Sequence, residues 1–152
     1  MSVISDVSGD LLKVLSYLEK YENALNEAEP IFELEGKRLE LLCRAHPQHL
    51  VRYDQLLAEI KSLESIVQLR LEQKEAFFWK RYNEGYARQL AARDIQAYIS
   101  GESEVVTIKE ILLEVQNFKS QYSAVVEALK TMGWSLNNIV KIRISELQDT
   151  II

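Results

Sequence analysis

Apolar residues recur at alternating steps of three and four along most of this chain, the spacing of one face of an α-helix. Towards the C-terminus the stripe is Ile108, Ile111, Val115, Phe118, Tyr122, Val125 and Leu129, followed at once by Met132-Gly133-Trp134. Two similar stripes lie upstream, one through Leu11, Val14, Leu18, Tyr21 and Leu25, the other through Leu56, Ile60, Leu63, Val67, Leu71, Phe78 and Tyr82. A seam of that length needs cover from another helix or another subunit. Three of them in 152 residues favour association. Ile108, Ile111, Val115, Phe118, Tyr122, Val125, Leu129 and Trp134 are therefore expected at a subunit interface, with plain intrachain core as the alternative.

The punctuation between stripes predicts the elements. A first helix over about residues 9–28 ends at Pro30, which also suits the first turn of a second helix carrying Ile31, Phe32, Leu34, Leu39, Leu42 and Cys43. That helix is expected to break at His46-Pro47-Gln48-His49, before a third and longest helix over about residues 50–83. A short helix follows around residues 94–99, with Asp94 as its N-cap and Gly101 as its stop. Thr107-Ile108-Lys109-Glu110 reads as a capping box opening the heptad helix. Gly133 ends that helix, and Ser135 caps a final one with Leu136, Ile139, Val140, Arg143 and Leu147. The alternation of Ile142 and Ile144 leaves a short strand open there. Five glycines and two prolines leave few turns, so the fold class is all-α: an elongated helical bundle with long coiled-coil-like helices. Residues 1–45 form an acidic N-terminal helical pair hinged at the His-Pro loop. Residues 50–152 hold the long basic helix and the C-terminal oligomerisation helices, in one continuous domain.

Charge refines this picture. The net charge of −5 is unevenly distributed, because residues 1–35 carry eight acids against Lys13 and Lys20 while residues 36–93 carry eleven bases against seven acids. A basic middle between acidic ends can hold a polyanion in an acidic protein, since phosphates respond to local charge density. The single cysteine, Cys43, cannot form an internal disulfide, which points to the cytosol. The opening Met-Ser-Val-Ile-Ser-Asp lacks a basic segment and a long apolar run, so neither a signal peptide nor a membrane partner is expected.

Catalysis finds little support. His46 and His49 have the spacing of a metal half-site, yet no cysteine or carboxylate cluster accompanies them, and a polar interhelical loop explains them better. Gly101-Glu102-Ser103-Glu104 carries negative charge where a phosphate cradle needs a lysine and exposed N–H groups. With no nucleophile elbow either, no enzyme activity, cofactor or metal is expected.

The better candidate lies at the end of the third helix. At about 100° per residue, Arg70, Lys74, Arg81 and, if the helix persists, Arg88 fall within roughly 40° of one another, with Phe77 among them. Lys80 lies to one side, and Trp79 points roughly opposite, where it is expected to pack against a neighbour. Cations that track phosphates, with a ring that can stack on an unpaired base, suit single-stranded nucleic acid. A solvated helix face, partly neutralised by Glu72, Glu75 and Glu84, is the alternative.

From about residue 69 to 147 the order of features resembles the UvsY-type recombination mediators of large tailed phages. Glu72-Gln73-Lys74 leads to Trp79-Lys80-Arg81-Tyr82, then Tyr98-Ile99-Ser100-Gly101-Glu102, then a long helix ending Ala128-Leu129-Lys130-Thr131-Met132-Gly133-Trp134, with Asn138-Ile139 and Lys141-Ile142-Arg143 beyond. The resemblance implies a non-enzymatic, all-helical protein that forms a ring-like homo-oligomer, a heptamer or similar, in the cytoplasm of the host. It implies single-stranded DNA as ligand, with a RecA-like recombinase and a single-strand-DNA-binding protein as partners, the mediator loading the first in place of the second. The family's DNA contacts include a lysine and an arginine one residue apart near the end of the long helix. Arg81 matches the arginine, while Trp79 stands at the lysine position with Lys80 beside it. The family's C-terminal region supports ring assembly, in line with the heptad stripe. A structural or adaptor oligomer of a phage, without DNA binding, is the other reading.

Overall fold

The computed structural model describes residues 3–85 and 89–149, and every regular element among them is helical. These are α1 (Val3–Gly9), α2 (Val14–Asn26), α3 (Leu39–Glu84), α4 (Ala92–Gly101) and α5 (Ser103–Asp149), with 3₁₀ turns at Leu11–Lys13 and Glu29–Phe32. The strand left open at Ile142 and Ile144 is absent, since both residues lie within α5.

Several predicted boundaries move, each for a local reason. The helix expected over residues 9–28 is broken at Asp10, whose extended backbone lets its carboxylate accept from the Leu12 N–H at 3.0 Å. The second helix shrinks to the 3₁₀ turn at Glu29–Phe32, and the chain turns at Gly36, whose φ of 75° suits glycine, before α3 begins at Leu39. No break occurs at His46-Pro47. Instead α3 runs through Pro47, which forgoes a backbone hydrogen bond to the Cys43 carbonyl. Contacts on either side hold the helix: His46 Nε2 lies 2.6 Å from the Leu129 carbonyl, and the Tyr53 hydroxyl donates to the Ala24 carbonyl at 2.7 Å. The capping box at Thr107 does not form either. α5 starts one turn earlier, at Ser103, and the Thr107 hydroxyl donates back to the Ser103 carbonyl at 2.9 Å. Gly133 and Ser135 lie inside α5, and Ala91, not Asp94, is the N-cap of α4. Asp94 keeps a helix-start role as the acid of the first turn, where the free N–H groups favour a carboxylate.

The chain divides into two compact units, and both long helices contribute to each. The first lies within Met1–Leu18 and Glu59–Phe118. Its core joins Val7, Val14 and Leu18 to Ile60, Leu63, Val67, Leu71 and Phe78 of α3, Ile95 and Ile99 of α4, and Val105, Ile108, Leu112 and Val115 of α5. Each such side chain removed from water contributes about 1.5–3 kcal/mol, which is what holds short helices such as α4 in place.

The second unit lies within Glu19–Ala58 and Lys119–Ile152. Its centre is a cluster of three fully buried tyrosines, in which the Tyr122 ring centroid lies 6.1 Å from that of Tyr21 and 6.0 Å from that of Tyr53. Two of the hydroxyls bond to carbonyls of α2: Tyr122 donates to the Tyr21 carbonyl and Tyr53 to the Ala24 carbonyl, both at 2.7 Å. Leu56, Leu57, Val126, Leu129, Met132 and Leu136 complete the core.

The heptad stripe is thereby largely covered within the chain. Ile108 and Val115 are buried in the first unit, Tyr122 and Leu129 in the second, and Ile111, Phe118 and Val125 are part-buried. Trp134 differs, with 72% of its surface exposed.

Candidate nucleic-acid interface

The basic stripe occupies the last turns of α3, beside the seam that faces the core. Phe78 is the side chain that packs there, only 3% exposed, while its neighbour Phe77 is turned outward at 58% and meets the Phe78 ring edge-on with centroids 5.3 Å apart. One residue of helix rotation, about 100°, separates an anchor from a presented ring. Trp79 is 39% exposed, so it is packed within the chain only in part.

Lys74 is half-buried and has the richest surroundings. Its Nζ lies 2.5 Å from a Glu104 carboxylate oxygen on the first turn of α5 and 5.6 Å from the centroid of the Phe77 ring. A second cross-helix pair, Lys109 with Glu75, is looser at 4.0 Å. Arg70, one turn before Lys74, donates through Nη1 to the Gln73 side-chain oxygen at 3.0 Å. A cavity of about 380 Å³ opens between Arg70, Gln73, Lys74 and Phe77, floored by Leu11 and Ile108. A second, of about 290 Å³, is lined by Lys74, Ile108, Ser103, Glu104 and Thr107. Lys74 and Ile108 border both.

Lys80 and Arg81 are exposed and form no ion pair among the described residues. Arg70, Lys74, Phe77 and Arg81 thus belong to one stretch of one helix, with Lys80 on its flank. Arg88 lies outside the described residues. Beyond the stripe, the Tyr82 hydroxyl donates to the Glu102 carboxylate, and the Tyr82 ring stacks on Tyr98 at 5.6 Å and 25°. This ties the end of α3 to α4 and to the start of α5, with Tyr98 52% exposed.

Glu104 is what the reading of the sequence missed. The acidity of residues 101–104 weighs there only against a phosphate loop, because the angular argument treats α3 alone. The Lys74–Glu104 contact depends on the antiparallel register of α3 and α5, for which the sequence carries no local signal. Elsewhere, no group of three or more histidine, cysteine or acidic side chains among the described residues could hold a metal ion. No helix among them is long and apolar enough to cross a membrane.

No family model and no curated protein sequence matches the chain. Among solved structures it is similar to the crystal structure of the bacteriophage T4 recombination mediator protein UvsY. The two share 19% identity at a TM-score of 0.62, over 85% of this chain and 98% of that one. At that identity the likeness is one of fold: an all-helical architecture shared with a recombination mediator.

Proposed function

We propose that the chain is a recombination mediator of the UvsY type. It binds single-stranded DNA along the Arg70–Lys74–Phe77–Arg81 face of α3 and helps a RecA-like recombinase replace a single-strand-DNA-binding protein. The carrying observation is Phe77, a large ring held outward between cations on a scaffold that shares its fold with a phage mediator. A ring in that setting offers a stacking surface to any base, while Lys74, Lys80 and Arg81 reach for phosphates, so binding has little sequence preference.

Assembly into a homo-oligomeric ring belongs to the same proposal. Ile108, Val115, Tyr122 and Leu129 serve intrachain packing, and of the exposed apolar residues of α5 the C-terminal group, Trp134, Ile142, Ile144 and Leu147, is the candidate contact, with Val106 and Leu113 lying apart from it near the start of the helix. Copies in a ring would sum weak contacts along one strand, and a long oligonucleotide would bind far better than a very short one.

A second reading, a structural oligomer without DNA binding, draws on the same exposed α5 residues and on the acid already at Lys74. One experiment separates the two. Fluorescence anisotropy with labelled oligo-dT of two lengths, across a salt series, should give salt-steep, length-dependent binding that falls in the Lys74→Ala, Arg81→Ala double variant. Equal, salt-insensitive titration of parent and variant would leave the structural oligomer. Sedimentation of the parent beside a Trp134→Asp, Leu147→Asp variant tests the ring.

A further inference from the structure

We propose that Glu104 is a built-in competitor for phosphate at Lys74, and that this residue sets how tightly the α3 stripe holds single-stranded nucleic acid. The inference rests on the reading of that stripe as a DNA-binding face.

Three observations carry it. First, the Lys74–Glu104 contact is close, at 2.5 Å, and it crosses from α3 to α5. A carboxylate offers a cation the same kind of oxygen as a phosphodiester does. Second, Lys74 stands at the boundary of two cavities, with Glu104 lining one and Phe77, Arg70 and Gln73 lining the other. A base stacked on Phe77 would bring its phosphate to the same ammonium that Glu104 already holds. Third, the pair is open to water, its side chains 39% and 57% exposed, so it is weak enough for a polyanion to displace.

A phosphate reaching Lys74 therefore breaks an existing ion pair and then stands beside the displaced carboxylate, a like charge. Both effects lower affinity, and both disappear when the carboxylate becomes an amide of the same shape. The same contact biases the site towards ligands with many phosphates in a row. A mononucleotide offers one phosphate against the carboxylate, whereas a strand also engages Lys80 and Arg81.

The test compares parent, Glu104→Gln, Lys74→Ala, the double variant and Glu110→Gln, each titrated with labelled oligo-dT at several salt concentrations. Glu110 is an exposed acid of α5 that does not line either cavity, so its variant changes net charge equally without freeing Lys74. Glu104→Gln should bind about three- to tenfold more tightly at low salt, with a salt slope steeper by up to about one unit. Glu110→Gln should stay near the parent, and the double variant should match Lys74→Ala. Binding by the parent with no gain in Glu104→Gln overturns the inference and leaves the DNA-binding reading standing. An equal gain in Glu110→Gln overturns it too, because net charge would then suffice. If neither the parent nor Glu104→Gln binds at low salt, the reading of the stripe fails and the inference falls with it. Binding by Glu104→Gln alone would support it in its strongest form.

Discussion

His46 and Gly133 fit so closely that a methyl group on Gly133 would stand 2.9 Å from the His46 Cε1. The imidazole is held in place by its Nε2, which donates to the Leu129 carbonyl at 2.6 Å; because a carbonyl only accepts, Nε2 is the protonated nitrogen. Leu129 is four residues before Gly133, so the histidine rests on the turn of α5 that the missing side chain leaves open. Glycine here works as a seat for a ring and not as a helix stop.

This contact sets the sign of a substitution. In a helix interior glycine is about 1 kcal/mol less favourable than alanine, so Gly133→Ala would stabilise an isolated helix. In this protein the added methyl displaces His46, and the expected net effect is destabilisation by about 1–3 kcal/mol. In a His46→Ala background the same change should become stabilising. Urea unfolding of the four proteins in the cycle measures the reversal, and additive effects would mean the two residues do not touch.

The tyrosine cluster makes an asymmetric prediction. At the end of α2 the Ala28 N–H bonds the Leu25 carbonyl at 3.1 Å, out of α-helical register, and the Ala24 carbonyl is met by the Tyr53 hydroxyl. Tyr122 donates to the Tyr21 carbonyl, in the body of the helix, where an amide four residues on is the ordinary partner. Tyr53→Phe strands a buried helix-end carbonyl and should cost about 1–3 kcal/mol, whereas Tyr122→Phe should cost about 0.5–1.5 kcal/mol. Chemical denaturation of both variants ranks them, and the reverse order would contradict this account of the α2 terminus.

What the sequence made legible was periodicity. The stripe from Leu56 to Phe78 is the observed seam of α3, and Ile108, Val115, Tyr122 and Leu129 face the core of α5. Periodicity identifies a buried face without naming what buries it, which is why the intrachain alternative describes these four better than a subunit contact. Local signals were outweighed where tertiary contacts were strong. Pro47 and Gly133 are breakers by propensity, yet neither ends a helix, because His46, Tyr53 and Leu129 hold both helices through those points. The candidate site was half legible in the same sense. Arg70, Lys74, Phe77 and Arg81 follow from angles on one helix, while Glu104 depends on how two helices are registered.

Tyr17 gives the protein an alkaline signature. Its hydroxyl donates to the Asp6 carboxylate at 2.7 Å, and that bond first, then burial and the nearby charges of Asp6 and Glu59, push the phenol up from 10.0 to about 12. A raised folded-state value means that the protonated form is favoured by folding. The contribution is therefore complete below pH 10 and is lost as pH rises towards about 12. Tyr17→Phe should be less stable than the parent by about 0.5–1.5 kcal/mol at neutral pH, with the gap closing between these two values. Denaturation at a series of alkaline pH values follows the difference, and a constant gap would show that Asp6 does not hold the phenol.

The three consecutive aromatics at the end of α3 separate packing from binding most directly. Phe78 is enclosed, so Phe78→Ala should cost about 3–5 kcal/mol and should weaken DNA binding only by unfolding the helix. Phe77 is presented, so Phe77→Ala should change stability by no more than about 0.5 kcal/mol while weakening binding to single-stranded DNA by about 1–3 kcal/mol, the usual value of one stacked base. Trp79 lies about 160° around the helix from Phe77, away from the cations, so Trp79→Ala should leave DNA affinity near that of the parent. Its partial exposure also makes its stability cost smaller than that of Phe78. Melting curves beside anisotropy titrations at fixed low salt read both quantities for each variant. Full affinity in a folded Phe77→Ala protein would remove the ring from the site and leave a purely electrostatic face, whereas a loss confined to Trp79→Ala would move the site to the other flank of α3.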